Sequence, residues 1–402
     1  MKNLPPELLG KIAQNYELGS AFSFETMGTP TQSRGQSTLL NLSLVSKAWY
    51  SEAQRSLWSE AFVFVPSGEN NIPTASRWLK SLEIMLQRGH SRYLKRLGIR
   101  LDRSSWGVPE KNAFRQSILS TTSTILDNVP HLETLLVSSD SIQLSPDLDL
   151  AGLCFSNRHF PALRMMDLLV YAGWERNHPL QVYPFLLRHP HISVLRMHVL
   201  DGTLLGTKRV PEALPHLKRF VGGMEEAKLL SCQGTLQSLE LFVDLSNSGS
   251  SQQRFLKVVK SLDGPFPAVK DVYFRRIRLP ILNLEVVAQL DRCFPNLEHL
   301  EGLVMNTSFI DEIRTCPTLC KGLLPKLKQL TLFWNDLVSD RSDHQPMEEA
   351  MRLLPLSFPE LRVCSQGMGI QERGFLKRTL SCEYGKDGKV VNWEGPENPD
   401  ST

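Results

Sequence analysis

The sequence predicts an α/β protein in which a small N-terminal helical unit precedes a solenoid of strand–helix repeats, with a parallel sheet on the concave side. Three observations predict it. Three apolar residues spaced apolar-x-x-apolar-x-apolar recur along the chain after residue 90. Proline stands two positions before the first apolar residue in many of these copies. An apolar block, NLSLVSKAWYSEAQRSLW (41–58), is crowded near the N-terminus, ahead of the array.

The composition sets the limits. Of 402 residues, 41% are hydrophobic and 22% charged, ordinary values for a globular chain. The net charge of +3, from 45 basic and 42 acidic residues without long single-sign runs, gives no case for nucleic acid or an anionic membrane as partner. No stretch approaches the roughly 20 apolar residues of a membrane helix. The opening MKNLPPELLGKI is interrupted by Glu7 and Lys11 and does not read as a signal peptide. The seven cysteines (Cys154, Cys232, Cys293, Cys316, Cys320, Cys364, Cys382) are scattered and odd in number, as expected of reduced thiols in cytoplasm or nucleus. Cys316 and Cys320 have helical spacing, but no second Cys/His pair accompanies them, so no metal site is expected.

The first element is LPPELLGKIAQ (4–14). Proline is tolerated at a helix start, where amide groups lack partners anyway, and Leu8, Leu9 and Ile12 then share one face. Residues 17–37 are rich in Gly, Ser, Thr and Gln and read as a loop. A second helix is expected from about Thr38, capped by Ser37 or Thr38, with Leu40, Leu44, Val45 and Ala48 along one side and Trp49 beyond. A third, SEAQRSLWSEAF (51–62), sets Ala53, Leu57 and Ala61 in register. So small a unit cannot enclose all its apolar side chains, so it must dock on the array or on another protein.

The array follows a linker helix at 66–90. Its clearest copies begin at Leu94, Leu132, Leu163, Ile192, Leu236, Val269 and Leu327, with weaker ones at Leu217, Leu297 and Leu361. By chance about 7% of windows would show three apolar residues at these positions, so the pattern alone is weak. Pro130, Pro161, Pro190, Pro215, Pro267, Pro295, Pro325 and Pro359 strengthen it. Proline cannot donate a ladder hydrogen bond and belongs just outside a strand. Segments such as NLEVVAQLDRC (283–293) and QRFLKVVKSL (253–262) have the apolar spacing of a helix between strands. Polar Asp102, Asp140, Asp244 and Asn335 stand where the chain should leave the strand. The proline series favours a solenoid over an ordinary α/β domain, and residues 381–402 read as a polar tail.

These residues carry two resemblances. Residues 91–380 resemble the leucine-rich-repeat proteins in a divergent form. Residues 1–65, with Leu4-Pro5, the Leu8–Leu9–Ile12 helix and Val45-Ser46-Lys47-x-Trp49-Tyr50, resemble an F-box, and the layout is similar to fungal F-box proteins. The resemblance implies a Skp-type adaptor, and through it a cullin, as partners, with Leu4, Pro5, Leu8, Leu9, Ile12, Leu44, Val45 and Trp49 at the adaptor. It implies the substrate-recognition subunit of an SCF-type ubiquitin ligase, needing no cofactor and no catalytic residue. The alternative is an interaction scaffold whose F-box-like helices cap the solenoid. The residues between the leucines face the concave surface, where Arg196, His198, Glu240, Phe242, Tyr273, Arg275 and Phe333 form the candidate target-binding set. No G-x-S-x-G, H-E-x-x-H or G-x-G-x-x-G motif occurs, which leaves no enzymatic site legible.

Overall fold

The computed structural model describes residues 34–65, 72–101, 109–139, 154–155, 157–170, 179–199, 214–223, 227, 230, 234–242, 255–256, 259–260, 262, 264–275, 281–333, 345–369 and 376–394. The chain divides into two compact units, Met1–Gly206 and Thr207–Thr402. Both are built alike, from short strands in sequence order, mostly parallel, alternating with helices.

In the first unit, helices α1 (Arg34–Ser43) and α2 (Lys47–Leu57) lead into β1 (Glu60–Val65). Then come α3 (Ile72–Gln87), a 3-10 turn (His90–Tyr93), β2 (Arg96–Leu101), α4 (Pro109–Leu126), β3 (Thr134–Ser139), β4 (Met165–Val170), α5 (Pro179–Arg188) and β5 (Val194–Val199). Each strand pairs in parallel with the next.

The second unit holds β6 (Arg219–Gly223), β7 (Ser238–Phe242), β8 (Asp271–Arg275), β9 (Ile281–Leu282), α6 (Leu284–Cys293), β10 (His299–Met305) and α7 (Thr307–Thr315). It continues with β11 (Gln329–Phe333), α8 (Gln345–Ser357), β12 (Val363–Gly369), β13 (Leu376–Tyr384) and β14 (Val390–Glu394). Strands β6, β7, β8, β10, β11 and β12 run parallel in that order. The short β9 pairs with the end of β10, and β13 and β14 close the sheet antiparallel.

The apolar line sets the core. Leu94, Leu132, Leu163, Ile192, Leu217, Leu236, Val269, Leu297, Leu327 and Leu361 are all buried, and so are the residues three positions on. Burying each such side chain is worth about 1.5–3 kcal/mol. The helices add their own apolar faces: Val286, Val287, Leu290 and Cys293 on α6, and Phe309, Ile310 and Ile313 on α7. Asn283 and Asn306 start these helices by accepting the amides of Val286 and Phe309. An asparagine oxygen at that place satisfies an amide that has no intrahelical partner.

The prolines have a more specific role than staying out of the ladder. The amides of Leu132, Leu163, Ile192, Leu217, Val269, Leu297, Leu327 and Leu361 each donate to the carbonyl three residues back. Proline is thus the second residue of a hydrogen-bonded turn, where its fixed φ near −65° is already correct. In the four Phe-Pro copies the residue supplying that carbonyl is a buried phenylalanine: Phe160, Phe266, Phe294 or Phe358.

Neighbouring turns are tied together. In the first unit the Phe160 amide donates to His189 Nε2 at 2.9 Å, and His189 Nδ1 donates to the Phe185 carbonyl at 2.7 Å. Burial pushes the imidazole pKa down to about 4, so it stays neutral and holds both bonds. In the second unit Phe266 donates instead to the Cys293 carbonyl, and Ser357 bridges the Pro317 carbonyl and the Cys320 amide.

Several boundaries differ from the sequence expectation. The helix expected from Thr38 begins at Arg34, so Ser37 and Thr38 lie inside it, and Leu44 and Val45 form the turn after it. The cap is Ser46, which starts α2 four residues before the expected place. That helix stops at Leu57, and Ala61 belongs to β1. Residues 58–63 are in fact one more copy of the apolar line: Trp58, Ala61 and Val63 align with Leu94, Leu97 and Ile99, and the Ser59 carbonyl accepts the amides of Lys95 and Arg96. The expected polar tail, 381–402, carries the end of β13 and all of β14, and its Cys382 and Tyr384 are buried. Asp102, Asp140, Asp244 and Asn335 lie outside the described residues.

Candidate protein-interaction surfaces

The helix pair presents the first surface. Ser46 accepts the Trp49 amide and so opens α2 immediately after the Leu44-Val45 turn. Between the helices lies a minimal core of Leu39 and Ala53, flanked by Leu42 and Leu57. The remaining apolar side chains have nowhere to go within it. Leu44 is 84% exposed, Val45 60%, and Leu40 and Tyr50 are also exposed, while Trp49 is half-buried. Of the expected adaptor set, Leu44, Val45 and Trp49 are therefore near one another at this elbow. Leu4, Pro5, Leu8, Leu9 and Ile12 lie outside the described residues.

At its other end the pair is fastened to the array. Trp58 stacks on His90 with ring centroids 5.5 Å apart, and its indole nitrogen donates to Gln54. Burial, with Arg88 and Arg92 nearby, lowers the His90 pKa, which keeps the stacked ring neutral.

The second surface is the sheet face that carries the residues between the leucines. In the second unit β7, β8 and β10 leave a half-exposed window there. Glu240 sits between two guanidiniums: Arg219 donates to its Oε2 at 3.0 Å, and Arg275 Nε donates to its Oε1 at 3.1 Å. Arg275 continues to Glu301 and lies over the Tyr273 ring, 5.4 Å from its centroid. His299 Nδ1 donates to Asp271 beside them. Burial works against ionisation of Glu240, but Arg275 and Arg219 outweigh it and hold its carboxyl below the usual range. Tyr273 is pushed up by burial and by the Asp271 and Glu301 carboxylates.

The structure thus brings Glu240, Tyr273 and Arg275 of the candidate target set into one cluster, with half-buried Phe242 directly beside Arg275 in the ladder. Phe333 lies farther along, on β11 against Val304. Arg196 belongs to the first unit, where it meets buried Asp167 at 3.5 Å. His198 is placed by its backbone on β5 and by nothing more. Sequence reasoning missed Arg219, Asp271, His299 and Glu301. The same between-leucine positions of neighbouring copies would have found them, but Arg219, His299 and Glu301 belong to the weaker copies.

Chemically the window offers preorganised guanidinium and aromatic groups. Arg275 is held by two carboxylates, so a partner need not fix it on binding. Among the described residues no His, Cys, Asp or Glu cluster could hold a metal ion, and no helix is long and apolar enough to cross a membrane. The described cysteines are free thiols, with Cys316 exposed and Cys320 buried. A cleft of about 610 Å³ between α7 and α8, lined by Asp311, Arg314, Glu349 and Arg352, has its charges paired across it. No protein-family model and no curated protein matches this chain.

Proposed function

We propose that the chain is the substrate-recognition subunit of an SCF-type cullin–RING ubiquitin ligase, an F-box protein with divergent leucine-rich repeats. The observation that carries this reading is the elbow: Leu44 and Val45 stand exposed within the stretch that resembles an F-box. Apolar side chains so close together favour a protein partner, here the Skp-type adaptor. The window around Arg275 is the surface for the target. Chemistry then belongs to the conjugating enzyme, and this chain contributes effective concentration by holding target and enzyme on one scaffold. That assembly places it in cytoplasm or nucleus.

The second reading, a scaffold whose helices only cap the array, draws support from the junction. Trp58 belongs to the last turn of the helix pair and to the first copy of the apolar line at once.

Co-expression with a Skp-type adaptor, followed by size-exclusion chromatography, separates the two. The ligase reading expects a one-to-one complex that is lost in Leu4→Ala/Pro5→Ala and in Leu44→Ser/Val45→Ser, with circular dichroism unchanged. A chain that elutes alone, folded and monomeric, sinks that reading and leaves the scaffold.

A further inference from the structure

Where each strand begins, the residue after the first leucine occupies a fixed row. Gln237, Lys270, Glu298, Lys328 and Arg362 each donate their amide to the carbonyl of the row member before, beginning at Lys218, at 2.7–2.8 Å. The backbone therefore sets six side chains in one ladder along the strand-entry edge of the second unit. Neighbouring strands lie about 4.8 Å apart, so Lys218, Lys270 and Lys328, two strands from each other, repeat at about 10 Å.

This edge is net basic. Across the row and the residues two places before each member, Lys218, Lys270, Lys326, Lys328 and Arg362 stand against Glu298 and Glu360, a balance of +3. Glu298 is shared by Lys270 at 2.8 Å and Lys328 at 2.6 Å, which braces both lysines and leaves that trio net positive. Lys218 and Lys326 are exposed and have no carboxylate partner among the described residues. The first unit has the same row by itself, Ser59, Lys95, Glu133, Arg164 and Ser193, with Lys95 and Arg164 against Glu133.

We propose that the strand-entry edge of the second unit is a docking surface for an acidic, extended segment of a partner polypeptide, with a carboxylate at about every third residue. A polyproline-II chain advances about 3.1 Å per residue with three residues per turn, so every third side chain returns to the same face after about 9.3 Å, close to the repeat of the lysines. Glu298 decides between polyanions. A polynucleotide would press uninterrupted phosphate charge against it, whereas a peptide can set a neutral residue there. The site is separate from the Arg275 window and does not rest on the ligase reading.

The test uses the full chain and three fluorescein-labelled probes, read by anisotropy: a peptide of repeated Glu-Gly-Ser, its Lys-Gly-Ser counterpart, and an oligothymidylate of equal charge. The Glu-Gly-Ser peptide should bind, and lose affinity between about 50 and about 200 mM salt. Lys218→Glu/Lys326→Glu breaks no ion pair among the described residues and should weaken binding at least about tenfold with the melting curve unmoved. Lys270→Glu/Lys328→Glu should do the same if it folds, and the first variant decides if it does not. Absence of binding to the acidic peptide, undiminished binding by Lys218→Glu/Lys326→Glu, or tighter binding of the oligonucleotide each overturns the proposal.

Discussion

Asp167 on β4 and Glu240 on β7 stand at the same place in their repeats, between the second and third apolar residues, and both face an arginine on the following strand. Their carboxyls are nonetheless driven in opposite directions. Asp167 is buried, with Arg196 3.5 Å away, and burial outweighs that arginine and raises its pKa to about 6. Among the described residues its Oδ1 and the Arg196 Nε have no hydrogen-bond partner, and nor does the buried Ser138 hydroxyl. Glu240, with its side chain 15% exposed, has both oxygens engaged by Arg219 and Arg275, which hold its carboxyl below the usual range. The comparison teaches that an arginine alone does not keep a buried carboxylate charged; the number of donors that reach it does.

The change expected to break the second region most is Gly302→Ala. Gly302 is the extra residue of a β-bulge in β10 and has φ +96°, and a Cβ there would lie 1.9 Å from the Phe274 carbonyl oxygen. The bulge lets Leu303 take the buried place while Glu301, just before it, remains beside Arg275. Alanine must displace β8 or β10, so a loss of more than about 3 kcal/mol is expected. Urea unfolding measures it, and a near-wild-type midpoint would mean that the bulge is not needed.

In the first region, Arg196→Met removes the only cation that meets Asp167 among the described residues. The carboxylate is then uncompensated and must take up a proton at neutral pH, at an expected cost of about 3 kcal/mol. The same change at Arg219 should cost about 1 kcal/mol, because Arg275 still holds Glu240. Equal losses at the two sites would dissolve the comparison.

Acid sharpens it further. Asp167 has a folded pKa raised from 3.8 to about 6, so its stabilising contribution is complete below 3.8 and is lost as pH rises through 6. His189 has a folded pKa lowered from 6.5 to about 4, so its contribution is complete above 6.5 and is lost as pH falls through 4. Over pH 4–6.5 the two slopes oppose each other, each worth roughly 2 kcal/mol. Asp167→Asn should therefore make stability rise with pH in that window, and His189→Gln should make it fall. Parallel pH profiles for the two variants would show that neither group titrates as described.

Much of this fold was legible because the apolar line and the turn prolines are local signals, each read within about nine residues. The strong copies at Leu132, Leu163 and Leu327 became strands for that reason. β1 was missed because its copy starts on Trp58 with no proline before it, inside a stretch whose spacing also suits a helix. β10 looked weak because the bulge at Gly302 moves Leu303 one place along. The window was legible only in part. Which residues lie between leucines can be read from sequence, but which arginine meets which carboxylate depends on register between strands some thirty residues apart. Burial at Asp167 is likewise tertiary, and no local pattern announces it.

The mildest changes give the sharpest contrast. Replacing a carboxylate by its amide keeps the shape and removes the charge, so Asp167→Asn and Glu240→Gln are the same experiment at the same place in the repeat. At pH 7.5 wild-type Asp167 is ionised against the preference of its surroundings, so the amide relieves a penalty, and the variant should equal or exceed wild type by up to about 1 kcal/mol. Wild-type Glu240 is ionised with that preference, so its amide gives up two charge-assisted hydrogen bonds and should cost about 1 kcal/mol. Salt should shrink the Glu240→Gln deficit, since that cluster is partly open to solvent, and leave the Asp167→Asn value nearly unchanged. Opposite signs in urea unfolding would establish donor number as the deciding variable. The same sign at both sites would mean that burial, rather than pairing, governs the whole row.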